Sequence, residues 1–123
     1  MDVSIYTNRY FKDAKNRDFR KNMTKFIEKK AFGAKILAVK DETYDEGKKR
    51  LQKTVITHDP LEKVWWVRIE VKEKSEYIGD YDQTYILAFD RTENRKTSAN
   101  IEGFVKFLRE CGVKKMLIDI PSE

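Results

Sequence analysis

The 123-residue sequence predicts an α+β fold, and three observations carry the prediction. Residues 64–74 alternate in the two-residue rhythm of a strand, with Trp65, Val67, Ile69 and Val71 on one side and Trp66, Arg68, Glu70, Lys72 and Lys74 on the other. Two other segments, at about 17–31 and toward 110, repeat their apolar residues at helical spacing. Strand-like segments also follow one another across a short polar connection, which favours a mainly antiparallel sheet covered by helices. The preferred topology is ferredoxin-like βαββαβ with an additional N-terminal amphipathic helix.

Tyr6 and Tyr10 lie four apart and Phe11 follows, so 3–12 fits a helical turn, a strand or a docked arm equally well. The next segment, about 17–31, reads as an amphipathic basic helix because Phe19, Met23, Phe26 and Ile27 recur among polar and basic positions. Asn16 suits its N-cap, Asp18 its first turn, Lys29 and Lys30 its last turn, and Gly33 a left-handed stop. The short apolar run AKILAVK that follows suits a buried strand.

Residues 43–56 admit two readings. Thr43 and Glu46 fit a capping box for a helix carrying Tyr44, Leu51 and Val55 on one face. Alternatively, Glu46-Gly47 forms a turn and LQKTVITH a strand, which its β-branched residues favour. Asp59-Pro60 then punctuates the chain before the tryptophan strand. SEYIGDYDQ makes a hairpin connection to a partner strand TYILAFDR. Thr97 and Ser98 introduce a helix with Ile101, Phe104, Val105 and Leu108 on one face, stopped at Gly112, and 114–120 closes the sheet. A helix at 43–56 completes the ferredoxin-like order; the hairpin gives αββββαβ, still α+β. The expected organisation is one domain, 1–123, with an arm at 1–16, a basic helix at 17–31 and a core at 34–120.

Charged residues make up 38% and hydrophobic residues 40%, and no apolar run approaches the roughly 18–20 residues that span a bilayer. The N-terminus has an early acid and no uninterrupted apolar run of the kind a signal peptide needs, so a cytoplasmic location and no membrane partner are expected. The single cysteine, Cys111, has no partner for an internal disulfide, and with one histidine no His/Cys zinc cluster is expected. No metal and no cofactor is anticipated.

The net charge of +5 is concentrated at the beginning of the chain. Residues 1–33 hold nine basic and four acidic residues, whereas the remainder holds seventeen of each. A basic, aromatic segment attached to an electrically balanced body points to a polyanionic partner. Candidate phosphate contacts are Arg9, Lys12 and Lys15 on the arm and Arg17, Arg20, Lys21, Lys25, Lys29 and Lys30 on the helix. Trp66 beside Arg68 is a candidate stacking platform for a base, unless the apolar side of the basic helix covers it.

The expected function is that of a small non-enzymatic protein contacting DNA, RNA or a nucleoprotein complex through its basic N-terminal helix. Engagement of four or five phosphates would give a salt slope of about −4 to −5 on duplex. The alternative is a protein-binding adaptor or inhibitor, of the kind mobile elements or phages encode, docking on an acidic protein surface. A third reading, a metal-dependent nuclease, rests on Glu70-Val71-Lys72, an E-x-K pattern that puts a carboxylate and a lysine on one strand face. Its second carboxylate is lacking: the stretches expected beside Glu70, near 52 and 85, supply none, and Asp80 and Asp82 are expected in a loop. His58 reads as a turn residue and Cys111 as a buried, inert thiol. No glycine-rich phosphate loop or nucleophile elbow occurs, so catalysis is not expected.

Overall fold

The computed structural model describes residues 22–89, 92 and 94–121. In chain order these form strand β1 (Asn22–Glu28), helix α1 (Lys29–Val39), strands β2 (Leu51–Asp59), β3 (Val64–Glu73) and β4 (Tyr81–Ala88), helix α2 (Glu102–Glu110) and strand β5 (Leu117–Asp119). The five strands make one sheet in the order β1-β4-β3-β2-β5. The fold is therefore α+β, as the sequence predicts, but the element order is βαβββαβ in place of ferredoxin-like βαββαβ.

The sheet is mixed rather than mainly antiparallel. β2, β3 and β4 form an antiparallel meander, while β1 joins β4 and β5 joins β2 in parallel. Parallel pairing requires a crossover, and two occur: α1 carries the chain from β1 over to β2, and α2 carries it from β4 to β5. Both run in the same direction along the sheet, and both helices pack against the same face. Phe32, Ile36 and Val39 of α1 and Phe104, Phe107 and Leu108 of α2 bury against Ile56, Val67, Ile69, Val71, Tyr85 and Leu87. Full burial of each large apolar side chain contributes about 1.5–3 kcal/mol. The alternation read from β3 thus sorts its residues correctly, with Trp65, Val67, Ile69 and Val71 toward the helices.

The basic helix expected at 17–31 is corrected by these elements. Residues 17–21 lie outside the described residues, 22–28 form β1, and the helix begins at Lys29. As a strand, β1 sends Phe26 to one face, beside Ile86, and Ile27 to the other, beside Leu87. Both apolar residues are used, on opposite sides of the sheet rather than on one helical stripe. The strand expected at 34–40 is instead the body of α1, whose buried positions 32, 33, 36 and 39 follow the helical repeat. Gly33 does not stop the helix. It lies inside it, where a Cβ would come within 3.3 Å of Cys111 Sγ and 3.7 Å of the Phe107 ring. Its lack of a side chain lets α1 approach the end of α2, at a helix-propensity cost of about 1 kcal/mol.

At 43–56 the hairpin reading prevails. Thr43 bridges Lys49, Tyr44 N–H donates to the Lys48 carbonyl at 2.9 Å, and Glu46 and Gly47 both turn through positive φ, each at 75°. α2 starts at Glu102, whose N–H donates to Asn100 Oδ1 at 2.8 Å, and stops where Gly112 adopts φ 86°. No helix among the described residues is long and apolar enough to cross a membrane.

Candidate nucleic-acid interface on the helix-free face

Among the described residues no helix covers the second face of the sheet. β3 supplies Trp66, Arg68, Glu70 and Lys72 to it, β4 supplies Asp82, Thr84 and Ile86, and β1 supplies Thr24 and Phe26, as the registers require. Trp66 is half-buried and has two guanidinium groups near its ring. Arg68 Cζ stands 5.6 Å and Arg95 Cζ 5.1 Å from the ring centroid, within the range of attraction to the ring quadrupole. Beside the indole is a cleft of about 460 Å³, lined by Phe26, Trp66, Ile86, Asn94, Arg95 and Thr97, with Glu62 at its margin.

The two arginines are held differently. Arg68 donates from Nη1 to Thr57 Oγ1 at 2.7 Å and has no carboxylate partner among the described residues, so its charge is not locally neutralised. Arg95 donates from Nη2 to Asp59 Oδ2 at 2.5 Å. Asp59 is itself fixed in the β2–β3 turn, where its Oδ1 accepts the Leu61 N–H at 2.9 Å and the Glu62 N–H at 3.3 Å. The Glu62 and Leu61 backbone donors, with Arg95, outweigh partial burial and hold the Asp59 carboxyl below the usual carboxylate range. A turn carboxylate thereby positions a guanidinium over the tryptophan. Val55, the cross-strand partner of Arg68, is fully buried, so the face is not uniformly accessible.

Glu70 and Lys72 share this face, as the E-x-K spacing implies, but Lys72 is engaged. Its Nζ lies 2.6 Å from Asp82 Oδ1, and that hydrogen bond keeps its pKa above the ordinary lysine value despite partial desolvation. Asp82 belongs to β4 rather than to a loop, directly across from Lys72. Among the described residues no group of three or more His, Cys, Asp or Glu side chains converges as metal ligands would. His58 packs against Trp65, ring centroids 4.6 Å apart, on the helix side. Cys111 is buried, and burial, reinforced by Glu110, pushes its thiol pKa up.

Of the basic residues singled out from sequence, Arg9, Lys12, Lys15, Arg17, Arg20 and Lys21 lie outside the described residues. The other three do not join Trp66. Lys25 is exposed and paired with Tyr85, whose side chain belongs to the helix-covered face; Lys29 has its Nζ 4.9 Å from the Phe107 ring centroid; Lys30 is exposed in the first turn of α1. Trp66 and Arg68 come together as expected. Sequence reading missed Arg95, Asn94 and Thr97, which reach the site because the chain folds back after β4: Phe89 N–H donates to the Asn94 carbonyl at 3.1 Å and Lys96 N–H to the Leu87 carbonyl at 2.7 Å. It also missed Phe26, assigned to a helical stripe; the alternation of Thr24 and Phe26 against Lys25 and Ile27 was the signal for it. No family model, curated protein or solved structure matches this chain.

Proposed function

We propose that this protein is a non-enzymatic nucleic-acid-binding protein that takes a single-stranded segment across the helix-free face, with a base in the Trp66 cleft and phosphates at Arg68 and Arg95. The observation that carries the reading is the indole, with two guanidinium groups near its ring, bordering a cleft lined by Phe26 and Ile86 and by the polar residues Asn94, Arg95 and Thr97. A planar base stacks on an indole, Asn94 and Thr97 offer hydrogen bonds to its edge, and guanidinium groups match phosphate oxygens in pairs. The net charge of +5, carried by residues 1–33, favours attraction of a polyanion to the chain as a whole. Single strands suit the cleft better than duplex, because a duplex keeps its base faces stacked inside.

Fluorescence anisotropy with a labelled single-stranded oligonucleotide, and with the same sequence as duplex, tests the reading. Trp66→Ala should weaken single-strand binding by about 1–3 kcal/mol, with Trp66→Phe retaining part of it. Arg68→Ala should flatten the dependence of log affinity on log salt by about 0.7 on single strands. Binding that is absent, or equal in wild type, Trp66→Ala and Arg68→Ala, overturns the reading, provided circular dichroism shows each variant folded.

A further inference from the structure

The sheet ends at β5, whose outer side pairs with no strand among the described residues. This edge is short and apolar. Leu117 is 54% exposed, Ile118 42% and Ile120 67%. Proteins commonly protect such an edge with charge or proline or cover it, because its free backbone groups recruit another strand. Here the charged residues are arranged to permit pairing.

We infer that β5 pairs antiparallel with β5 of a second copy of this chain, about a two-fold axis at Leu117, joining two five-stranded sheets into one. The sequence Lys115-Met116-Leu117-Ile118-Asp119, in which Leu117–Asp119 form β5 and Lys115 and the partly buried Met116 lead directly into it, is self-complementary in this register. Leu117 meets its own equivalent, Met116 meets Ile118 of the second copy, and Lys115 meets Asp119 of the second copy. Apolar residues face apolar residues and each charge faces its opposite, twice over by symmetry. Centring the pairing on Ile118 would instead set Leu117 against Asp119, and centring it on Met116 would set Lys115 against Leu117. Neither Lys115 nor Asp119 makes an ion pair within its own chain among the described residues, so both are free to make one across the axis. Pro121, which has no N–H to donate, lies two residues beyond the end of β5, outside the proposed ladder.

Pairing a residue with its own equivalent requires the axis to stand perpendicular to the sheet. The helices of both copies then cover one face, and both Trp66 surfaces lie on the other. The contact is isologous and closes at two chains. One strand per partner buries an area at the low end for specific interfaces, below about 1,200 Å², so association is expected in the micromolar range. Pairing through β5 is independent of what Trp66 binds.

Sedimentation velocity of the full chain across the micromolar range should show the mass rising from one chain to two. Lys115→Asp and Asp119→Lys should each raise the dissociation constant about tenfold or more by setting like charges opposite each other, and the double variant should restore it. Hydrogen exchange on the wild type gives a readout independent of any substitution: amides of 115–119 should gain protection as concentration rises. A single-chain mass at every concentration overturns the inference. So does a dimer indifferent to both reversals, a double variant as dissociated as the singles, or edge amides whose exchange ignores concentration.

Discussion

Glu73 ties four parts of the chain together, and replacing it with glutamine should be among the costliest single substitutions on the surface of the core. Its carboxylate accepts from Tyr85 Oη at 2.8 Å and Arg50 Nη2 at 2.6 Å, and it pairs with Lys35 Nζ. These partners come from β4, the segment before β2, and α1. The Glu73 side chain is 12% exposed, and those of Arg50 and Lys35 are 15% and 25% exposed, so solvent does little to replace a lost partner. Removing one member of a buried pair costs about 3–5 kcal/mol. The lower end applies, because Arg50 keeps Glu42 at 2.7 Å and the Lys72 carbonyl at 3.0 Å. With an unfolding entropy of about 2.1 cal/mol/K per residue, a loss of ~3 kcal/mol lowers Tm by about 12 °C at this chain length.

The pH dependence has a definite sign. Burial raises the Glu73 pKa, but Lys35, Tyr85 and Arg50 together outweigh it and hold the carboxyl below the ordinary glutamate value. A depressed folded pKa contributes stability that is fully present above the unfolded value of about 4.3 and is lost as pH falls through the folded value. Thermal unfolding followed by circular dichroism should therefore show wild type and Glu73→Gln well separated at pH 7 and converging in acid. A neutral-pH difference below about 3 °C, or a gap that does not narrow in acid, refutes the reasoning.

Two further substitutions test the packing. Gly33→Ala sets a helix-propensity gain of about 1 kcal/mol against the 3.3 Å contact with Cys111 Sγ and should be near neutral, whereas Gly33→Leu has no room between α1 and α2 and should lose about 3 kcal/mol in urea unfolding. Gln83 is fully buried and its Oε1 finds no hydrogen-bond donor among the described residues, although Nε2 donates to the Thr84 carbonyl at 3.0 Å. Gln83→Met should stabilise by about 1 kcal/mol in the same assay, and a loss of stability would show that the amide is satisfied.

The elements most legible in the sequence were those with an unmixed period and ordinary punctuation. β3 declares itself by alternation, and α2 by Phe104, Val105 and Leu108 ahead of Gly112. Residues 22–39 do not show their division in the sequence because β1 passes into α1 with no intervening loop residue: Glu28 is extended and Lys29 is already helical. With no glycine, proline or asparagine at the junction, the apolar residues of strand and helix merge into one apparent stripe, and the glycine inside α1 looks like its end. Parallel pairing was illegible for a different reason. Nothing local in 22–28 specifies that its partner lies in 82–88, because that choice is made by how two crossovers stack on one face. The site was half legible: Trp66 and Arg68 follow from alternation, but Arg95 arrives through a turn whose geometry no short motif announces.

The placement of β1 also bears on the order in which the molecule assembles. β1 precedes the meander in the chain, yet its sheet neighbour is β4, with Phe26 opposite Ile86, about 60 residues later. Until β4 is in place the first strand has no ladder to join, while β2, β3 and β4 can zip together through local hairpins. During synthesis Phe26 and Ile27 therefore emerge early and remain without their native neighbours. Between their emergence and the arrival of β4, this apolar pair is open to misassociation.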